Sequence, residues 1–205
     1  MICSNRHKFI FVHVPKTGGT SIRSVLGSLD RKDAMTIKLP FLTKKKMLLN
    51  EHLTALEIKN IVLPSVWDTT FKFAFVRNPW SVMLSHYLYF KTNPGGSVLA
   101  KKAKSLSFNQ YIDWYFNFDG LHRFKNGFSD FLRISGKDAL DFIGKQEFMD
   151  KDFSKVCDLL NIAKIKLPRK NVTKHKHYRV YYDSNSIKIV KRAFERDNYV
   201  FQYTF

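Results

Sequence analysis

The stretch Phe11-Val-His-Val-Pro-Lys-Thr-Gly-Gly-Thr-Ser-Ile22 limits the fold of this chain more than any other. Residues 8–14 form an apolar, β-rich run that Pro15 and the following Lys-Thr-Gly-Gly break. Beyond the break, Ile22, Val25, Leu26 and Leu29 recur at i, i+3, i+4 and i+7. That period predicts an amphipathic helix laid on a sheet, starting near Thr20. A strand feeding a glycine turn and then a helix start aims several backbone N–H groups at one point. The helix N-terminus adds about half a positive charge there. The result is an anion site. Gly18 and Gly19 admit close approach of the backbone, and Thr17, Thr20 and Ser21 can donate hydroxyl hydrogen bonds. Lys16 supplies a full charge. It precedes the glycines, so this is not the GxxxxGK[ST] loop, whose lysine follows them.

A second strand–turn–helix unit follows. Residues 71–77 read as a buried strand, Asn78 as a helix cap and Pro79 as the first helical residue. Trp80, Met83, Leu84 and Tyr87 mark the packed stripe, and Ser85 lies about 150° around the helix from it. Arg77, at the strand end, offers a forked, charged donor suited to phosphate. Thr54 with Glu57 forms a capping-box signal that predicts a helix over 55–63, stopped by Pro64. Residues 92–104, around Pro94-Gly-Gly, read as a loop, and 107–115 as a helix. Residues 140–143 read as a short strand ending at Gly144. Phe153, Val156, Cys157 and Leu160 mark a further helix, and Asp183 or Ser184 starts the last, with Ile187, Val190 and Phe194 facing inward. Strands alternating with helices imply a mostly parallel sheet covered on both faces. A chain of 205 residues fits one such α/β domain.

A net charge of +18 favours an anionic partner, and taken alone would rank nucleic acid first. The lysines at 44–46 read as solvated surface. Two cysteines, with no CxxC pair and no zinc spacing, leave no metal site to propose, and Cys157 reads as a core thiol. The apolar run at 9–14 is far too short to span a bilayer, which takes about 20 residues. With no signal peptide visible, the chain reads as cytoplasmic.

The first motif resembles the 5′-phosphosulfate loop of sulfotransferases that use PAPS, 3′-phosphoadenosine 5′-phosphosulfate. It is closest to the carbohydrate branch, which includes heparan and chondroitin enzymes and small bacterial relatives. Phe73-Ala-Phe-Val-Arg-Asn-Pro-Trp80, with Ser85 and Tyr87, resembles the 3′-phosphate motif of that family. The resemblance implies a P-loop-like three-layer sandwich, with a central mostly parallel sheet flanked by helices, forming one domain over 1–205. It implies PAPS as co-substrate, PAP as product, and a hydroxyl acceptor, a glycan in the carbohydrate branch. It gives Lys16, Thr17, Gly18, Gly19, Thr20 and Ser21 to the 5′ end, and Arg77 and Ser85 to the 3′-phosphate. Many relatives carry a further arginine where this chain has Val82. Leu167-Pro-Arg-Lys-Asn-Val-Thr-Lys174 resembles the late basic loop over the nucleotide; Arg169 and Lys170 would complete the 3′-phosphate clamp, with Asn171 and Thr173 adding polar contacts. Residues 140–162 resemble the Phe-Ile-Gly-Arg-Phe-Glu block, with Lys145 and Gln146 in place of Arg and Phe.

Sulfuryl transfer needs charge stabilisation on the leaving phosphate and a base for the acceptor proton. Lys16 suits the first task. His52, in Glu51-His-Leu-Thr-Ala, resembles the His-x-Thr-Ala stretch of bacterial relatives and suits the second. Glu51 is the alternative base. His13 reads as a packed strand residue, and His86, His122, His175 and His177 have no motif behind them. Loops 30–50 and 92–130 are expected to shape the acceptor cleft. Two other classes compete. A P-loop kinase or NTPase is disfavoured by the position of the lysine and by a second strand that ends in Arg77 rather than an acidic residue. A nucleic-acid binder suits the charge but shows none of the usual motifs.

Overall fold

The computed structural model describes residues 1–29, 52–93, 95–118, 123–170 and 175–205. Glu51, His122, Asn171, Thr173, Pro94, the lysines at 44–46 and the rest of loop 30–50 lie outside the described residues.

In chain order the elements are β1 (Ile2–Ser4), β2 (Phe9–Val12), α1 (Gly19–Leu29), α2 (Ala55–Ile61), α3 (Pro64–Thr69), β3 (Phe71–Val76) and α4 (Pro79–Thr92). They continue with α5 (Val98–Ser105), α6 (Phe108–Asn117), α7 (Ser129–Leu132), β4 (Arg133–Ile134), β5 (Lys137–Asp138) and β6 (Phe142–Lys145). α8 (Met149–Leu159), α9 (Ser184–Ala193) and α10 (Glu195–Phe201) complete the chain. This is an α/β fold with a mostly parallel sheet flanked by helices. It divides into two compact units, Met1–Val76 with Asp130–Asn171, and Arg77–Ser129 with Val172–Phe205.

The first unit holds the sheet, in the order β1-β2-β3-β6. β2 and β3 run parallel with Phe9 opposite Phe71 and Val12 opposite Ala74, β3 and β6 run parallel, and β1 joins the edge antiparallel. Strand residues alternate between faces. Phe9, Phe11, Phe73 and Phe75 cluster with Ile22, Val25 and Leu26 of α1 and with Phe153, Val156 and Cys157 of α8. Ile10, Val12, Ala74 and Val76 on the other face are equally buried. Burial on both faces is why these strands read as unbroken apolar runs. Gly144 is required here, because a Cβ on it would come within 2.5 Å of the Phe75 ring. Cys157 is the core thiol expected, and Cys3 is also buried.

The second unit is helical and aromatic. Asn78 caps α4 through Trp80 and Ser81, and Pro79 opens it as expected. Trp80 and Tyr87 pack: the Trp80 indole N–H donates to the Ile187 carbonyl at 3.2 Å, and the Tyr87 hydroxyl to that of Leu106 at 3.0 Å. Phe124, Phe128 and Phe194 form a ring cluster. Asp183 caps α9 with Ser186 in a reciprocal capping box.

Three local expectations change. Within 92–104, read as loop, the chain from Val98 onward is helix α5, which runs to Ser105. Ser97 caps it, and only Ala100 and Ala103 are buried, so its apolar face is too small to register as a period. Pro64 stops α2 near the expected place but also opens α3 at its first turn, where a missing N–H costs nothing. The strand placed at 140–143 is Phe142–Lys145, because Asp141 is held outside it, its backbone N–H donating to Lys72 O and its carboxylate accepting from the Lys72 N–H.

Candidate active site

Parallel pairing of β2 with β3 brings the ends of both strands to the carboxyl edge of the sheet, where open α/β sheets bind ligands. The chain leaving β2 forms a tight loop. Thr17 is fully buried, and its hydroxyl donates to the Val14 carbonyl at 2.9 Å. That hydroxyl therefore braces the loop. Lys16 and Gly18 both adopt left-handed backbone, with φ of 64° and 83°. Two positive-φ residues on either side of Thr17 make a tight turn of the kind that forms an anion-binding nest. α1 starts at once at Gly19, and the Ser21 N–H bonds back to the Gly18 carbonyl at 3.1 Å. A Cβ on Gly18 would meet Met149 at 2.5 Å and Gln146 at 3.5 Å, and one on Gly19 would run into the His13 ring. No local spacing in the sequence places Met149 or Gln146 beside this loop; the approach of α8 and the turn before it bring them there. Lys16 is half-buried and Thr20 exposed.

Arg169 and Lys170 stand beside this loop. The Lys170 backbone N–H donates to Ser21 Oγ at 3.3 Å, while buried Leu167 anchors the segment in the core of the first unit. Both basic side chains are exposed.

His52 precedes α2, whose capping box between Thr54 and Glu57 forms as read from the sequence. Its Nδ1 lies 2.9 Å from the backbone carbonyl of His13. A carbonyl can only accept, so Nδ1 carries a proton in this contact, and in the neutral form of the ring the lone pair is on Nε2. The rings of His52 and His13 are 4.3 Å apart, inclined at 58°. His13 is packed as expected, but its contact with His52 was not foreseen. The available signal was one polar residue inside an otherwise apolar strand run. Burial first, then His52, the amino terminus and Arg23, push the His13 pKa down to about 2, so its ring is neutral.

Arg77 and Ser85 belong to the second unit. Arg77 follows β3 directly and is half-buried, as is Ser85 on α4. Val82 is fully buried, so in this chain that position serves packing. Asn78 is committed to its cap and, through its amide, to the Thr204 carbonyl at 3.0 Å. Among the described residues no group of three or more His, Cys, Asp or Glu is placed to hold a metal, and no helix is long and apolar enough to cross a membrane.

A glycine nest at the carboxyl edge of a mostly parallel sheet, running straight into a helix, defines a P-loop-like α/β protein. Residues 1–204 match the model of the Sulfotransferase family, and the chain belongs to that family. An uncharacterised protein of Archaeoglobus fulgidus is 31% identical over 122 residues, which span 60% of this chain and 93% of that one. The crystal structure of mouse sulfotransferase SULT7A1 complexed with PAP shares the fold, with a TM-score of 0.58 and 13% identity, covering 96% of this chain and 86% of that one.

Proposed function

We propose that this protein transfers the sulfuryl group of PAPS to a hydroxyl of a carbohydrate acceptor. The observation that carries this reading is the nest at Lys16–Gly18, closed by Ser21 and flanked by the Lys170 backbone. The mouse relative was crystallised with PAP, the product that PAPS would leave. The carbohydrate acceptor rests on the resemblance of the motifs to that branch and on a net charge of +18, which suits an anionic glycan.

In this reading the backbone of 17–19 and the hydroxyls of Thr20 and Ser21 hold the 5′-phosphosulfate. Arg77, Ser85, Arg169 and Lys170 hold the 3′-phosphate, a role that rests on their motifs. The acceptor oxygen attacks sulfur as the bond from sulfur to the bridging phosphate oxygen breaks. Lys16 stabilises the charge that grows on that oxygen. The acceptor proton passes to Nε2 of His52, and PAP leaves as the 5′-phosphate. Cys3 and Cys157 are buried thiols, which suits a reducing compartment, and we place the protein in the cytoplasm. Its recovery from a secreted fraction would overturn that placement.

Titration calorimetry tests the nucleotide: PAP should bind without magnesium, and binding only of ATP with magnesium would refute the proposal. Labelled PAPS offered to a panel of glycans should label at least one; transfer only to non-sugar hydroxyls would remove the carbohydrate assignment. His52→Ala should lower turnover by about 100-fold or more, the usual effect of losing a general base.

A further inference from the structure

His13 is 3% exposed, and its ring Nδ1 has no hydrogen-bond partner among the described residues. Such an orphan is costly to bury, and most buried polar atoms are paired. Among the described residues, three of the groups that the ring touches bear on the site. It stacks on Phe11, with centroids 5.7 Å apart and planes at 21°. It presses on Gly19 so closely that no Cβ fits between them. Its third neighbour, 4.3 Å away, is the ring of His52. One side chain thus abuts both the first residue of α1 in the anion loop and the proposed base, while the carbonyl of the same residue takes the His52 Nδ1 proton.

We infer that His13 is a positioning residue for His52: ring and carbonyl together clamp the His52 imidazole in its Nδ1–H tautomer, at a fixed place relative to the anion loop. This rests on the reading of His52 as the base. A base must present its lone pair to the acceptor, and in this tautomer that lone pair is on Nε2. Taking up the acceptor proton also makes His52 cationic. A second cation 4.3 Å away would oppose that step, so the clamp must itself be uncharged. Burial keeps it so, and the amino terminus and Arg23, the other charged groups acting on His13, push the same way. His13 acts through His52 and through the loop geometry. Misplacement of a reacting group by about 1 Å can cost on the order of 100-fold in rate.

The test uses the full chain carrying isotope-labelled histidine, with nuclear magnetic resonance reading the His52 tautomer and steady-state kinetics on PAPS reading turnover. Wild-type His52 should be the Nδ1–H tautomer near neutral pH. In His13→Ala the carbonyl remains but the ring is gone. There the tautomers should mix and kcat should fall by about tenfold or more, with KM for PAPS changing less than about threefold. His13→Phe keeps a planar ring and should restore both the tautomer and kcat to within about threefold of wild type. A ring that merely filled space would lower the melting temperature of His13→Ala without altering the tautomer ratio. The inference is overturned if wild-type His52 is the Nε2–H tautomer, if His13→Ala keeps the wild-type tautomer and kcat, or if His13→Phe does no better than His13→Ala. Should His13→Ala not fold, the wild-type tautomer and His13→Phe decide alone. Wild-type turnover in His52→Ala would instead refute the base assignment, which the tautomer measurement does not touch.

Discussion

The backbone N–H of Lys170 donates to the hydroxyl of Ser21 at 3.3 Å, joining residues 149 positions apart in the chain. The bond fastens the late basic segment to the first turn of α1, so loss of the hydroxyl should loosen Arg169 and Lys170 without opening the core. A single hydrogen bond of this kind contributes about 0.5–1.5 kcal/mol. Ser21→Ala should therefore weaken PAP binding by about two- to tenfold, with little change in melting temperature. Trypsin should also cut faster after Arg169 and Lys170. Calorimetry and timed proteolysis read both effects, and wild-type values in both would show that the contact has no part in binding.

Lys16 is a lysine where the backbone favours glycine, with φ at 64°. A side chain in the left-handed region costs about 1–2 kcal/mol. Glycine relieves that strain, though it loses about 0.5–1 kcal/mol through greater freedom of the unfolded chain. Lys16→Gly and Lys16→Ala both remove the charge, but only alanine keeps the strain. The glycine variant should be as stable as the alanine variant or more so, by up to about 1 kcal/mol in urea unfolding. Turnover of both should fall by about 100-fold or more, as when a group stabilising leaving-group charge is lost. Turnover in either variant near the wild-type rate would take Lys16 out of the chemistry.

Gly19 owes its identity to the ring behind it. A methyl group there would strike His13, which is held in turn by Phe11 and His52. Gly19→Ala should destabilise the fold by about 1–3 kcal/mol, the usual cost of overpacking, and weaken PAP binding because the nest must shift. Gly27, on the same helix, meets nothing within 4 Å of a Cβ. Gly27→Ala is the control and should be neutral or stabilising by up to about 1 kcal/mol. Equal urea midpoints for the two variants would mean that Gly19 can accept a side chain.

What the sequence disclosed and what it hid follow from the reach of each signal. Lys16, Gly18 and Gly19 were readable because a strand, a turn and a helix start are local patterns. Asn78 and Thr54 were readable because caps act within three residues. β1 was missed because three residues pairing with β2 carry no period of their own. α5 was missed because two alanines make too small an apolar face. The contacts of His13 with His52 and of Lys170 with Ser21 depend on the return of distant segments to the sheet edge, which no local spacing encodes. Motif likeness pointed to Arg169 and Lys170, but the bond that holds their segment on α1 is a feature of packing alone.

The buried neutral ring of His13 also fixes how stability should depend on pH. Its pKa falls from an ordinary 6.5 to about 2 in the folded protein, through burial first and then through His52, the amino terminus and Arg23. Below pH 6.5 the unfolded chain takes up a proton at His13, while the folded chain does not until about pH 2. Between those limits the unfolded state holds more protons, so stability rises with pH. The contribution is fully present above the unfolded pKa and is lost progressively as pH falls below it. One proton sets a slope of at most about 1.4 kcal/mol per pH unit. The window between about pH 7.5 and pH 5.5 is the clean one, because carboxylates titrate mainly below it. Across that window wild type should lose about 1 kcal/mol more stability than His13→Phe, which has no proton to bind. Urea midpoints of both proteins, measured at each pH, give the difference directly. Parallel curves would mean that His13 takes up its proton as easily in the folded chain as in the unfolded one, and that the ring beside His52 is not held neutral.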